Sequence, residues 1–181
     1  MSAHALRIIG GQWRRRLLRF PESADLRPTP DRVRETLFNW LGQDLSGLAC
    51  LDLFAGSGAL GFEACSRNAA RVVLVEAAAV ARAALLDNIR GLGAENRMEL
   101  SGRDALEFAA STQARFDVIF ADPPYRQGWL DRLEGILPAL LAEGGLLYLE
   151  AEHPVLTWGG LSVIRQGRAG QVFYHLLQQN A

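Results

Sequence analysis

The stretch Leu51-Asp52-Leu53-Phe54-Ala55-Gly56-Ser57-Gly58-Ala59-Leu60-Gly61 restricts this chain more than any other. An apolar run closing on Asp52 reads as a buried strand, the glycines as a tight turn free of side chains, and Ala59 onward as a helix. The spacing Gly56-x-Gly58-x-x-Gly61 lets backbone pass close to a ligand, packs the helix tightly on its strand and leaves free N–H groups at the helix N-terminus. The pattern reads as a nucleotide cradle, without separating a dinucleotide from another adenosine cofactor. A glycine turn built for packing alone would look the same.

Asp122-Pro123-Pro124-Tyr125 narrows the choice. It follows a second apolar run, Phe116 to Ala121, that also ends in an acid at the carboxyl end of an expected strand. Ligands in open α/β sheets bind at those ends, so both motifs should face one crevice. An ordinary turn also favours Asp and Pro, but it gives no reason for the glycine loop upstream.

With 181 residues, 49% hydrophobic and 22% charged, the chain is expected to form one domain, 1–181, with residues 1–25 as an appended arm and 26–181 as the core. No apolar run approaches a bilayer span, and Met1 to Gly11 shows no signal region, so a cytoplasmic protein is expected. Cys50 and Cys65 read as reduced packing residues, and His4, His153 and His175 are scattered, so no metal site is expected. The net charge of −1 hides an asymmetry: residues 1–34 carry +5 and the rest −6. All 19 basic residues are Arg, which removes Lys as a catalytic base or Schiff-base former.

Leu6 to Ile9, a Gly10-Gly11 turn and Trp13 to Phe20 read as a β-hairpin whose second strand is studded with Arg14, Arg15, Arg16 and Arg19. Two readings stand: a polyanion-binding arm with Trp13 stacking on a base, or an edge strand protected by charge. Four Arg within six residues favour nucleic acid. Next comes a helix with Thr29 as cap, Pro30 at its first position and Asp31 suited to the dipole. Its apolar face is Val33, Leu37, Trp40 and Leu41. Arg27, Arg32 and Arg34 at its start can face solvent or reach cofactor or phosphates.

Arg71 to Glu76 is an apolar strand ending in an acid about 20 residues past Gly56, where a carboxylate can accept both ribose hydroxyls of a bound adenosine. Ala77 to Leu92 reads as a helix and Met98 to Ser101 as a weak strand. Asp104 before Ala105 is either a helix cap or an acceptor for the adenine amine. Gln127 to Leu141 looks helical with Pro138 splitting it, and Gly144-Gly145 turns into the strand Leu146 to Glu150. Ser162 to Arg165 and Gln171 to Leu177 read as a terminal hairpin.

Asp52-x-Phe54-Ala55-Gly56-Ser57-Gly58, Glu76, Asp104 and Asp122-Pro123-Pro124-Tyr125 resemble the successive motifs of S-adenosylmethionine-dependent amino-methyltransferases. Within that group, Arg7-Ile8-Ile9-Gly10-Gly11, the basic strand and Arg27-Pro28-Thr29-x-Asp31-Arg32-Val33-Arg34-Glu35 resemble the RsmD family of bacterial small-subunit rRNA guanine-N2 methyltransferases, over nearly the whole chain. The resemblance implies an α/β Rossmann-like sheet of seven strands, helices on both faces, the last strand inserted antiparallel. It implies S-adenosylmethionine as cofactor, with Gly56 and Gly58 near its amino acid part, Glu76 at the ribose and Asp104 with Ala105 at the adenine. Asp52, Phe54, Ala55 and Ser57 complete that set. The implied substrate is guanine 966 of 16S rRNA in an assembled or assembling small subunit, methylated by a monomer. Arg7, Trp13, Arg14, Arg15, Arg16, Arg19, Arg27, Arg32 and Arg34 are the candidate RNA contacts.

The chemistry can be argued separately. An exocyclic base amine has its lone pair drawn into the ring, so it attacks a sulfonium methyl only when held in line and allowed to pyramidalise. Asp122 and the Pro123 carbonyl, fixed by the Pro-Pro corner, can accept its two N–H groups, and Tyr125 can stack on the base. A paired base must first be unstacked. A nicotinamide dehydrogenase would share the glycine loop and leave Asp122-Pro123-Pro124-Tyr125 without a task. A DNA amino-methyltransferase normally needs a target-recognition region for which this chain has no room, and an RNA-binding module would explain only the arginines. Protein glutamine methylation uses a similar Pro-Pro-Tyr corner, usually after Asn.

Overall fold

Parallel β-strands that are apolar on both faces demand cover on both faces, and the chain supplies it by alternating strands with helices. In the computed structural model, which describes residues 3–22 and 28–180, the core elements run β3 (Ala49–Asp52), α2 (Ala59–Ser66), β4 (Arg71–Val75), α3 (Ala79–Gly91), β5 (Met98–Ser101), α4 (Ala105–Ser111), β6 (Phe116–Ala121), α5 (Trp129–Leu133) and β7 (Leu141–Ala151). A hairpin, β1 (Ala3–Arg7) with β2 (Leu17–Pro21), and helix α1 (Asp31–Leu41) precede them; β8 (Thr157–Trp158), β9 (Leu161–Ala169) and β10 (Val172–Gln179) follow.

The main sheet has the order β5-β4-β3-β6-β7-β10-β9-β8. The first five strands are parallel, and β10 is inserted antiparallel to both β7 and β9. The expected alternation and antiparallel last strand are both present. The sheet has eight strands where seven were expected, because Thr157–Trp158 turns back to pair with the start of β9.

Side chains alternate across this sheet with period two, and the core divides accordingly. Cys50, Val118, Phe120, Tyr148, Tyr174 and Leu176 lie on the face covered by α1, α2 and the hairpin. Leu51, Ile119, Leu147, Leu149 and Leu177 pack on the other face with Ala105, Ala109, Trp129 and Leu133.

Three local expectations are corrected. The second hairpin strand begins at Leu17, so Arg14, Arg15 and Arg16 lie in a turn, closed by Arg15 N donating to Ile8 O at 2.8 Å and Arg16 N to Trp13 O at 2.9 Å. The cap of α1 is Pro30 with no side-chain capping bond; Thr29 is buried, and its carbonyl accepts from Arg34 Nε at 3.2 Å. The segment after Tyr125 holds only the short α5 and a 3-10 turn, Leu137–Leu140, broken at Pro138 as expected, and β7 already starts at Leu141, with Gly144-Gly145 in a bulge opposite Phe116 to Val118.

The hairpin is packed rather than appended. Leu6, Ile8, Trp13, Leu18 and Phe20 are buried in the same cluster as α1 and α2. Glu63 of α2, fully buried, accepts from Ile9 N at 3.0 Å and Gly10 N at 2.7 Å and pairs with both Arg34 (3.3 Å) and Arg67 (3.0 Å). Arg34 also donates to Arg7 O at 3.0 Å. On its outer side β2 runs along α3, where Asn88 accepts from Arg19 N at 3.1 Å and donates to Arg19 O at 2.8 Å. No helix of the described residues is long and apolar enough to cross a membrane.

Candidate active site

The chain crosses from β3 to β4 and β5 in one direction and to β6 and β7 in the other, so β3 and β6 flank the topological switch point where such sheets open a crevice. Asp52 stands opposite Phe120 in the register of these two strands, which puts Asp122 two residues further out on the neighbouring strand. The two motifs thus meet at one edge. Asp52 is itself among the charges that act on Asp122.

Asp52 is 4% exposed, and its Oδ2 accepts from Gly61 N at 2.9 Å. Burial pushes its carboxyl up to about 7, against the pull of the Gly61 bond and with a further push from Glu76. The loop it introduces is held by backbone: Leu53 N donates to Phe120 O, and Ala55 N to Val75 O, each at 3.0 Å. Gly58 has φ +80°, and a Cβ there would lie 2.5 Å from Phe62 and 2.8 Å from Leu85. A Cβ on Gly61 would strike Leu74 and lie 3.2 Å from Asp52 Oδ2. Gly61 is therefore required for close packing of α2 on β3 and β4, and Gly58 for its positive φ and for the approach of Phe62 and of Leu85 from α3.

Glu76, at the end of β4, accepts from Gly56 N at 2.9 Å on Oε2 and from Ala78 N at 2.8 Å on Oε1. It ties the glycine loop to the next strand and retains lone pairs on both oxygens. Asp104 caps α4, taking Leu106 N at 2.9 Å and Glu107 N at 3.3 Å on Oδ1 alone. The capping reading of Asp104 holds, and Ala105 is buried beneath it.

At the other end, Pro123 is buried, Pro124 exposed and Tyr125 43% exposed. The register of Ala121 against Leu149 places Asp122 beside Glu150 near the end of β7, and burial followed by the Glu150 charge raises it well above the usual carboxylate range. Glu150 is also raised by burial, while the Tyr148 hydroxyl, donating to its Oε1 at 2.7 Å, opposes that. The Tyr125 hydroxyl is raised too, by burial first and then by Glu150 and Asp122.

Sequence reasoning passed over Glu150, Tyr148 and Trp129. A signal for Glu150 was present: Asp52, Glu76, Asp122 and Glu150 each lie within one residue of the end of a strand of the parallel set. Trp129 packs edge-on against Phe54 at 5.1 Å and carries Arg132 over its ring at 4.2 Å, so the glycine loop touches the segment beyond Tyr125. Nothing local in the sequence signals that contact.

Two of the expected RNA contacts are displaced. Trp13 is 9% exposed with Arg97 stacked over its ring at 5.3 Å, which leaves no face for a base. Arg34 is 1% exposed and fully engaged by Glu63, Asp31 and two carbonyls. Arg7, Arg14, Arg15, Arg16, Arg19 and Arg32 are exposed, and Arg27 lies outside the described residues. Among the described residues no cluster of three or more His, Cys, Asp or Glu could hold a metal ion.

The family model described as conserved hypothetical protein 95 matches residues 6–178. The ribosomal RNA small subunit methyltransferase D of Escherichia coli K12 is 43% identical over 97% of this chain and 91% of its own length, and that of Haemophilus influenzae 38% identical over 96% and 93%. A solved structure from Escherichia coli, the yhhF protein, superposes with a TM-score of 0.85 at 41% identity, covering 98% of this chain and 99% of its own. The fold also matches the Thermus thermophilus 16S rRNA N2 G1207 methyltransferase, solved with AdoMet and guanosine, at a TM-score of 0.73 and 21% identity over 99% of this chain and 50% of that one. With residues 6–178 matched by the family model, 97% of the chain aligned to the Escherichia coli relative, and its glycine loop and Pro-Pro corner at the carboxyl ends of adjacent strands, the chain belongs to the family of conserved hypothetical protein 95, the RsmD family of small-subunit ribosomal RNA methyltransferases.

Proposed function

We propose that this protein methylates the exocyclic N2 amine of a guanine, guanine 966, in 16S rRNA of an assembled or assembling small subunit, with S-adenosylmethionine as donor. The observation that carries the proposal is the register of β3 against β6, which sets Asp52 and Asp122 at neighbouring strand ends over one crevice. When bound there, the cofactor supplies an electrophilic methyl group on a sulfonium. The residues fit it: the positive-φ turn through Gly56 and Gly58 brings backbone to the amino acid part, buried Asp52 offers an acid below it, and the free lone pairs of Glu76 suit ribose hydroxyls. Phe54, Ala55, Asp104 and Ala105 line the remaining approach.

Asp122 and the Pro123 carbonyl accept from the guanine amine, which holds the nitrogen lone pair toward the methyl and lets the nitrogen pyramidalise. Pro124 keeps the corner stiff. Tyr125, half-exposed at its mouth, stacks on a base swung out of the RNA. The exposed Arg7, Arg14, Arg15, Arg16, Arg19 and Arg32 neutralise phosphates and set the RNA's orientation.

The deciding experiment incubates the protein with labelled S-adenosylmethionine and, separately, unmethylated small subunits, naked 16S rRNA, DNA or protein extract, and then maps the modified nucleoside. Label in N2-methylguanine at that one rRNA position is expected; label on DNA or protein would overturn the proposal. Asp122→Ala should abolish transfer with cofactor affinity nearly intact, since it removes an acceptor for the base alone. Tyr125→Phe should cost less than about tenfold in kcat, because stacking survives loss of the hydroxyl.

A further inference from the structure

Under the proposed function Asp52, Glu76 and Asp122 each have a task, and Glu150 has none. Glu150 is 6% exposed, and the register that pairs Ala121 with Leu149 brings it alongside Asp122 on the adjacent strand. Neighbouring strands run about 4.8 Å apart, so the buried Glu150 and the partly buried Asp122 disfavour being ionised together. Carboxyls standing side by side in this register can hydrogen-bond only with a proton between them, because ionised carboxylates only accept. Tyr148 donates to Glu150 at 2.7 Å, so Glu150 is the better stabilised anion and Asp122 the acid. The other titratable groups acting on this cluster are Asp52 of β3, Tyr125 past the Pro-Pro corner, Glu152 past β7 and Tyr174 of β10. All are neutral or negative. Arg126 is 92% exposed and turned to Glu152 at 4.0 Å.

We propose that Glu150 is a positioning residue that shares one proton with Asp122, holding the Asp122 hydroxyl oxygen inward and leaving its carbonyl oxygen to accept from the incoming base amine. As the nitrogen–carbon bond forms and the carbon–sulfur bond breaks, with its electron pair going to sulfur, the nitrogen must lose a proton. That proton goes to the free oxygen of Asp122 while the shared proton passes to Glu150. Asp122 is neutral before and after, and only Glu150 changes charge, from carboxylate to acid. This role rests on the methyl-transfer reading; the shared proton does not.

Infrared difference spectroscopy of the substrate-free protein tests the pair directly. Wild type minus Asp122→Asn should show a protonated-carboxyl stretch at neutral pH, and in Glu150→Gln that band should titrate at least about one pH unit lower, because the neighbouring charge is gone. In assays on small subunits, Glu150→Ala should lower kcat about tenfold or more with KM for S-adenosylmethionine within about twofold. Glu150→Gln should recover kcat to within about threefold of wild type, since the amide still bonds Asp122, which then ionises and takes the proton itself. Absence of the band at neutral pH, or wild-type kcat in Glu150→Ala, overturns the proposal. If Glu150→Ala does not fold, the band and its displacement in Glu150→Gln decide. A protein that shows the band yet methylates no ribosomal substrate keeps the pair and removes the functional reading, so the two failures are separable.

Discussion

Asp52 ties the stability of the free protein to pH. Its carboxyl, 4% exposed, is pushed up to about 7 in the folded protein from an ordinary value of 3.8, so between these values the folded state binds more protons than the unfolded one. Its contribution to stability is therefore present below about pH 4 and is lost as pH rises through 7. The expected outcome is that Asp52→Asn removes a loss of stability between pH 4 and 7.5 that wild type shows, on the order of a few kcal/mol, read by denaturant titration at both pH values. Gly61 sets a second limit at this scale. Gly61→Ala would press its methyl on Leu74 and crowd the Asp52 carboxylate, and should cost about 1–3 kcal/mol in the same titration.

At the scale of elements, the turn 11–16 carries the charge that the amino acid order assigned to a strand. Replacing Arg14, Arg15 and Arg16 together by Ala should reduce the slope of log affinity for rRNA against log salt by about 2 to 3, with little change in cofactor affinity. A filter-binding titration at several salt concentrations reads it. The arginine count was plain in the sequence, but the exposure of each was not. Arg34 and Arg32 differ by two positions on one helix, and the distant Glu63 and Arg7 carbonyl help decide which of them is sequestered. Trp13 was misread for the same reason, since its cover comes from Arg97 and from Ser66, whose Oγ accepts Trp13 N at 3.0 Å. By contrast, the glycine loop and the Pro-Pro corner were legible because each is fixed by local backbone requirements: positive φ at Gly58, and strand ends marked by acids.

For the molecule as a whole, the parallel order and the inserted last strand followed from the alternation of apolar runs and helices, whereas the extra β8 depends on a two-residue pairing too short to register as a pattern. Glu150 escaped notice because its meaning comes from the strand beside it and not from its own neighbours in sequence. The buried Glu63 joins hairpin, α1 and α2, so Glu63→Ala would take the buried carboxylate from both cations, leaving Arg34 the exposed Asp31 and two carbonyls and Arg67 only the Gln43 amide. A loss of about 3–5 kcal/mol is expected, measurable as a lower unfolding midpoint. That same junction makes the molecule a fixed gauge. The arginine turn and the carboxyl ends of β3 and β6 are held at one spacing, so on the methyl-transfer reading proposed above a nucleotide fits only when its ribose-phosphate chain runs at one set distance from the opening, and loosening the joint should blur which nucleotide is chosen before it slows the reaction on the right one.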